Sequence, residues 1–181
     1  MLDFSKNHFD LFGLPIGFVV DAAALAERFR DLQRVVHPDR YASATEQEKR
    51  LSLQQATRVN EAFGILKDPL RRAGYLLELH GVEQNVRTAT VTDTAFLMEQ
   101  MELREELAEV RGAADPAGAL DDFMQRVGRM ISSQIGQLAV YFEEATPEAL
   151  EQARDGVGKL QFLNKLYAEA EALEAELEDE S

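Results

Sequence analysis

The plainest chemical possibility in this chain lies in two side chains and the proline between them. His37 and Asp39 stand either side of Pro38, where two strongly helical stretches meet. An imidazole that titrates near neutrality beside a carboxylate is the pairing of a general base and its orienting partner, and both groups can ligate metals. Pro38 has no amide donor and its ring pushes His37 out of the α region, so the pair belongs to a stiff corner. Catalysis needs more: a nucleophile, a metal or oxyanion donors converging on one pocket. The other histidines, His8 and His80, fall on other elements, and the chain has no cysteine. They are read as packing or surface residues. No catalytic residue is assigned, and neither a metal nor a cofactor is expected. Recognition is the remaining use for a loop held between rigid helices.

The flanking sequence positions that corner. Asp21 has the place of an N-cap, with Val20 and Leu25 spaced as a hydrophobic staple. Leu25, Phe29, Leu32 and Val36 recur at helical intervals and form one apolar stripe. Arg30 and Arg34 lie roughly opposite it, a small basic patch leading to His37 that Glu27 and Asp31 dilute. Beyond the corner, Thr45-Glu46-Gln47-Glu48 has capping-box spacing and predicts a helix from about 46 to 67, with Ala56, Val59, Phe63 and Leu66 inside. The two helices pack antiparallel, which leaves the corner at one end. The stretch from His8 to Pro15 reads as one short helix stopped by Gly13 and Pro15. Asp68-Pro69 opens another, bearing Leu70, Ala73, Tyr75, Leu76 and Leu79, with Gly81 as its stop.

Taken together, Leu11-Phe12-Gly13-Leu14-Pro15, Val36-His37-Pro38-Asp39-Arg40, Asn60-Glu61-Ala62-Phe63 and Asp68-Pro69-Leu70-Arg71-Arg72-Ala73 resemble the J domain over residues 8–80. J domains stimulate ATP hydrolysis by DnaK-type chaperones. The resemblance implies a chaperone-binding surface of Arg30, Arg34, His37, Pro38, Asp39 and Arg40. Arg40 stands where many J domains have lysine, a cation for a cation though not a full equivalent.

Composition frames the rest. The chain has 181 residues, of which 45% are apolar, enough for one domain or two small ones with a real core. No apolar run reaches the length of a membrane span, and the N-terminus lacks the pattern of a signal or transit peptide. A cytoplasmic protein with no membrane partner is expected. The first 80 residues carry eleven Lys/Arg against eleven Asp/Glu; the remaining 101 carry eight against twenty-two, so the net charge of −14 lies wholly in the second part. That sign argues against nucleic acid as a partner and marks two modules: residues 1–80, a linker over 81–91, and residues 92–181.

In the second module a helix is predicted from about Thr92 or Asp93 to Arg111, stopped by Gly112. Asp115-Pro116 and Thr146-Pro147 open two more. The second of these three carries Leu120, Phe123, Val127, Ile131, Leu138 and Phe142 inward, and the third runs into an acidic tail, Glu174 to Glu180, read as a solvated, fraying end. The expected fold is all-α, an N-terminal helical hairpin with short helices followed by an antiparallel three-helix bundle. The first helix of the bundle is unusual. Setting Phe96 at zero on a helical wheel, Leu103, Leu107 and Val110 fall within about 40° of it, one seam for a core. Leu97, Met101 and Met98 fall at roughly 100°, 140° and 200°, a second apolar face rimmed by Glu102, Arg104 and Glu105. Unbranched, adaptable methionines suit a partner-binding patch. In the last helix, Phe162 is turned about 160° from Leu160 and can join that surface.

The run Thr92 to Leu107, with Lys159-Leu160-Gln161-Phe162-Leu163-Asn164-Lys165-Leu166, resembles the HscB family of iron–sulfur assembly co-chaperones. Members join a J domain to a three-helix domain that binds the cluster scaffold IscU. The resemblance implies that Leu97, Met98, Met101 and Phe162 form the scaffold-binding patch, with Glu102, Arg104 and Glu105 around it. Met101 stands where the family often has leucine, a change that keeps volume. Some eukaryotic members carry cysteine pairs for a metal, so this cysteine-free chain looks like a bacterial form. The implied partners are a DnaK/HscA-type ATPase chaperone and an IscU-type scaffold. The alternative is a J-domain adaptor for general unfolded or other clients.

Overall fold

The structure, a computed structural model, describes residues 6–36, 45–83 and 94–179; His37, Pro38, Asp39, Arg40, most of the expected linker, Thr92 and Asp93 lie outside the described residues. Among the described residues every regular element is helical. The chain divides into two compact units, Met1–Leu79 and His80–Ser181.

The first unit contains α1 (His8–Phe12), α2 (Ala22–Val36), α3 (Glu46–Lys67) and α4 (Pro69–Leu79). Each begins where a polar side chain can satisfy the orphan amides of a first turn. Asn7 accepts from the Asp10 amide, and Asp21 Oδ1 accepts from Ala23 and Ala24 at 2.9 and 3.0 Å. Thr45 and Glu48 close a reciprocal capping box, and Asp68 Oδ1 accepts the Arg71 amide at 2.8 Å. Gly13, at φ 63°, takes the left-handed conformation that ends α1. Gly81, at φ 72°, follows α4 in the same way.

Helices α2 and α3 run antiparallel. Phe29 stacks on Phe63 at 3.9 Å between ring centroids, Gln33 Nε2 donates to Asn60 Oδ1 at 3.2 Å, and Ser52 Oγ donates to the Val36 carbonyl at 2.8 Å. Leu25, Val36, Val59, Ala62 and Leu66 are buried along the pair. The Ser52 bond ends α2 inside the core, one residue before His37. Truncating Ser52 to alanine leaves that carbonyl without its buried donor, so Ser52→Ala is expected to lower stability by about 1–3 kcal/mol. An unchanged urea midpoint for the full chain would show that the bond contributes nothing.

Two details of α4 differ from expectation. Leu79 is exposed, while Leu77 and Arg72 are buried. Arg72 lies with its guanidinium 5.0 Å from the Phe18 ring centroid and donates Nη1–H to the Leu66 carbonyl at 2.5 Å. Burial holds its pKa below the usual arginine value, with Asp68 opposing.

The second unit contains α5 (Thr94–Glu109), a single 3-10 turn (Val110–Gly112), α6 (Pro116–Glu144) and α7 (Pro147–Asp179). Asp115 Oδ1 caps α6 through the Gly118 amide at 3.0 Å, and Thr146 Oγ1 caps α7 through the Ala149 amide at 3.1 Å. Helices α6 and α7 form the long pair of the bundle. They close to a tight approach at Gly156, where a β-carbon would stand 2.7 Å from Gln134 Nε2 and 3.1 Å from Leu138 Cδ2. Leu103, Val110, Leu120, Phe123, Val127, Leu163, Leu166 and Ala170 make the core. Ion pairs Arg126–Glu106 and Arg111–Glu176 fasten α5 and its turn to α6 and α7.

Two sequence expectations change here. The first bundle helix gives way to the 3-10 turn at Val110 instead of running on to Arg111. The acidic end is more than a fraying tail: α7 continues to Asp179, Leu173 and Leu177 pack against the core cluster, and Glu176 pairs with Arg111. Leucines spaced four apart supply the apolar stripe that keeps this acidic segment docked.

Candidate functional site

The amphipathic logic of α5 is split between two faces. Phe96, Leu103 and Val110 are buried and Leu107 is half-buried, so the seam predicted from the helical wheel is the one that enters the core. On the other side Leu97, Met98 and Met101 are 46%, 59% and 63% exposed. Glu102, Arg104 and Glu105 are exposed around them. A three-helix bundle has no structural need for large apolar side chains there. Free Met and Leu surface next to carboxylates can dock an apolar patch on a partner and adapt to its shape.

Phe162 occupies a different position from these three. It is half-buried and packs against the core cluster. Its ring meets Phe96 edge to face at 5.8 Å and 88°, and the Arg104 guanidinium lies 5.5 Å from its centroid. It thus links the buried seam to the exposed face. Sequence periodicity placed it outside the core; the interhelical aromatic contact draws it partly in.

In the first unit Arg30 and Arg34 are exposed on α2, and Arg34 Nη1 pairs with Asp31 Oδ1 at 3.3 Å. At that exposure the pair is worth little and leaves Arg34 able to exchange partners. Of the corner predicted to recognise a partner, Val36 is the last described residue, buried and tied to Ser52.

His8, read from the sequence as a packing or surface residue, stacks on Tyr75 at 4.3 Å, and its backbone amide donates to the Tyr75 hydroxyl at 3.0 Å. Desolvation, helped by Arg58, holds its pKa below the ordinary histidine value, while Glu61 and Glu78 pull the other way. A lowered folded-state pKa means that the unfolded chain binds the proton more readily. Stability should therefore fall as pH drops through 6.5 toward the folded-state value, and level off below it. His8→Gln should flatten that part of the profile, read as the melting temperature between mildly acidic and neutral pH. A profile unchanged by the substitution would remove His8 from the account.

Among the described residues no cluster of three or more His, Asp or Glu side chains is placed to hold a metal ion. None of the described helices is long and apolar enough to cross a membrane.

The sequence of residues 92–171 matches the family model described as the HSCB C-terminal oligomerisation domain. The co-chaperone protein HscB homolog of Shewanella baltica (strain OS195) is 44% identical over 173 residues, covering 96% of this chain and 99% of that protein. Among solved structures, chaperone HscB from Vibrio cholerae superposes with a TM-score of 0.86 at 44% identity, covering 95% of this chain and 99% of that one. Human co-chaperone protein HscB superposes with the same TM-score of 0.86 at 32% identity, over 94% of this chain and 83% of that one. Near-complete coverage at this identity, on a helical N-terminal unit followed by a helical bundle, places the chain in the HscB family of co-chaperones.

Proposed function

We propose that this chain couples a scaffold protein of iron–sulfur cluster assembly to an ATP-driven chaperone. Arg30, Arg34, His37, Pro38, Asp39 and Arg40 engage a DnaK/HscA-type chaperone and raise its ATPase rate. Leu97, Met98, Met101 and Phe162, rimmed by Glu102, Arg104 and Glu105, hold an IscU-type scaffold. The chain itself catalyses no reaction, takes no cofactor and works in the cytoplasm. The observation that carries this reading is the second apolar face of α5, left exposed on a helix whose first face already serves the core. Holding both partners on one chain converts the second encounter into an intramolecular one and raises the effective concentration of scaffold at the chaperone.

The test is chaperone ATPase turnover with the chain alone, the scaffold alone and both together. A rate with both that exceeds the product of the separate stimulations supports coupled delivery. Stimulation by the chain that scaffold leaves unaltered favours an adaptor for other clients. A second reading comes from the matched family's description as an oligomerisation domain, since the same exposed patch can pair with a second copy. Sedimentation of the chain alone and with scaffold separates the two: self-association would be broken by scaffold if both use α5.

A further inference from the structure

Of the eight Lys and Arg residues in the acidic second part of the chain, two are placed on the rings of a single aromatic pair. Lys159 Nζ lies 5.0 Å from the Phe96 ring centroid, Phe96 meets Phe162 edge to face at 5.8 Å, and the Arg104 guanidinium lies 5.5 Å from Phe162. The four groups form one run that crosses between α5 and α7, cation, ring, ring, cation. Lys159 and Phe162 are three residues apart on α7 and so share a face. Phe96 is buried and Leu97, its neighbour in sequence, begins the exposed patch.

We propose that Lys159 and Phe96 are positioning residues for the scaffold-binding surface; the proposal rests on the function assigned above. Neither belongs to the patch itself. A cation over the face of Phe96 restrains the plane of that ring by attraction to its quadrupole. The edge-to-face contact passes the restraint to Phe162, whose interaction depends on the angle between the rings. Arg104 holds Phe162 from its other neighbour. The half-buried Phe162 is thereby offered to a partner in one orientation, and less ordering remains to be done on binding.

The experiment measures scaffold affinity of the full chain by calorimetry, in a double-mutant cycle of Lys159→Met with Phe162→Ala. Methionine keeps the length and apolar stem of lysine and removes its charge. Lys159→Met should weaken binding about 2–5-fold, the scale of an exposed cation–π contact, and Lys159→Arg should restore it. In the Phe162→Ala background Lys159→Met should have no further effect, because the ring it positions is gone. Equal losses in both backgrounds would mean that Lys159 touches the scaffold directly, which overturns the proposal. No loss for Lys159→Met, with binding still lost on Met98→Ala/Met101→Ala, also overturns it and leaves the patch standing. If Met98→Ala/Met101→Ala binds like the parent, the functional reading itself fails, and the positioning role with it.

Discussion

Leu97→Ala/Met98→Ala/Met101→Ala is expected to reduce affinity for an IscU-type scaffold by about two to three orders of magnitude while leaving the fold intact. The first half follows from area. Three large side chains, each exposed over roughly half of its surface or a little more, still have much apolar area to bury, worth about 1 kcal/mol or more each on docking. Their sum, about 3–4 kcal/mol, corresponds to a factor of hundreds. The second half follows from the same exposure: side chains the core does not use cost little to remove, and alanine is the best helix former. Calorimetric titration gives the affinity and a thermal melt gives the fold. Stimulation of the chaperone by the variant alone should persist, because no changed residue lies in the first unit. Scaffold affinity equal to the parent's would show that this face is not the docking surface.

Helix starts were legible because they are written in local chemistry. Asp21, Thr45 with Glu48, Asp68-Pro69, Asp115-Pro116 and Thr146-Pro147 each supply a cap or a first-turn proline, and each marks the beginning of a helix in the structure. The seam of α5 was legible for a related reason: a helix with two apolar stripes shows both on a wheel, and Phe96 and Leu103 enter the core as periodicity requires. What sequence could not show is how a particular side chain meets a neighbouring helix. Gln134 stands in register with Val127, Ile131 and Leu138 on the inward stripe of α6, yet its polar amide argues for the surface; the close approach of Gly156 on α7 is what accommodates it. Arg71 and Arg72 are adjacent and identical in type, yet only Arg72 turns inward to the Leu66 carbonyl and the Phe18 ring.

The candidate site shows the same division. That Met98 and Met101 lie off the core seam is a property of one helix and could be read from its period; their exposure is seen only in the fold. The half-buried state of Phe162 belongs to the α5–α7 interface, and needs Phe96 and Arg104 on the other helix to explain it. The acidic residues at the end of α7 are exposed, as their charge requires, but that charge hides what keeps the segment helical to Asp179. Leu173 and Leu177, four apart, decide its fate, and Arg111 from a distant turn completes the contact.

His37→Gln is expected to abolish stimulation of the chaperone ATPase, returning turnover to the rate seen without the chain, with scaffold affinity unchanged. Glutamine keeps approximate size and hydrogen-bonding capacity but not the flat imidazole ring. The substitution therefore asks whether the corner acts by specific shape or by general polarity. Neutralising Arg30 and Arg34 to alanine should behave differently. Exposed cations act over a distance screened by salt, so the double variant should weaken stimulation most at low ionic strength, and excess protein should recover much of it. Excess His37→Gln should recover none. Each result is read as the maximal ATPase rate and the half-saturating concentration at two salt levels. If His37→Gln lost only apparent affinity, the corner would be one more contact among several; full loss at saturation makes it the element through which the chain acts on its chaperone.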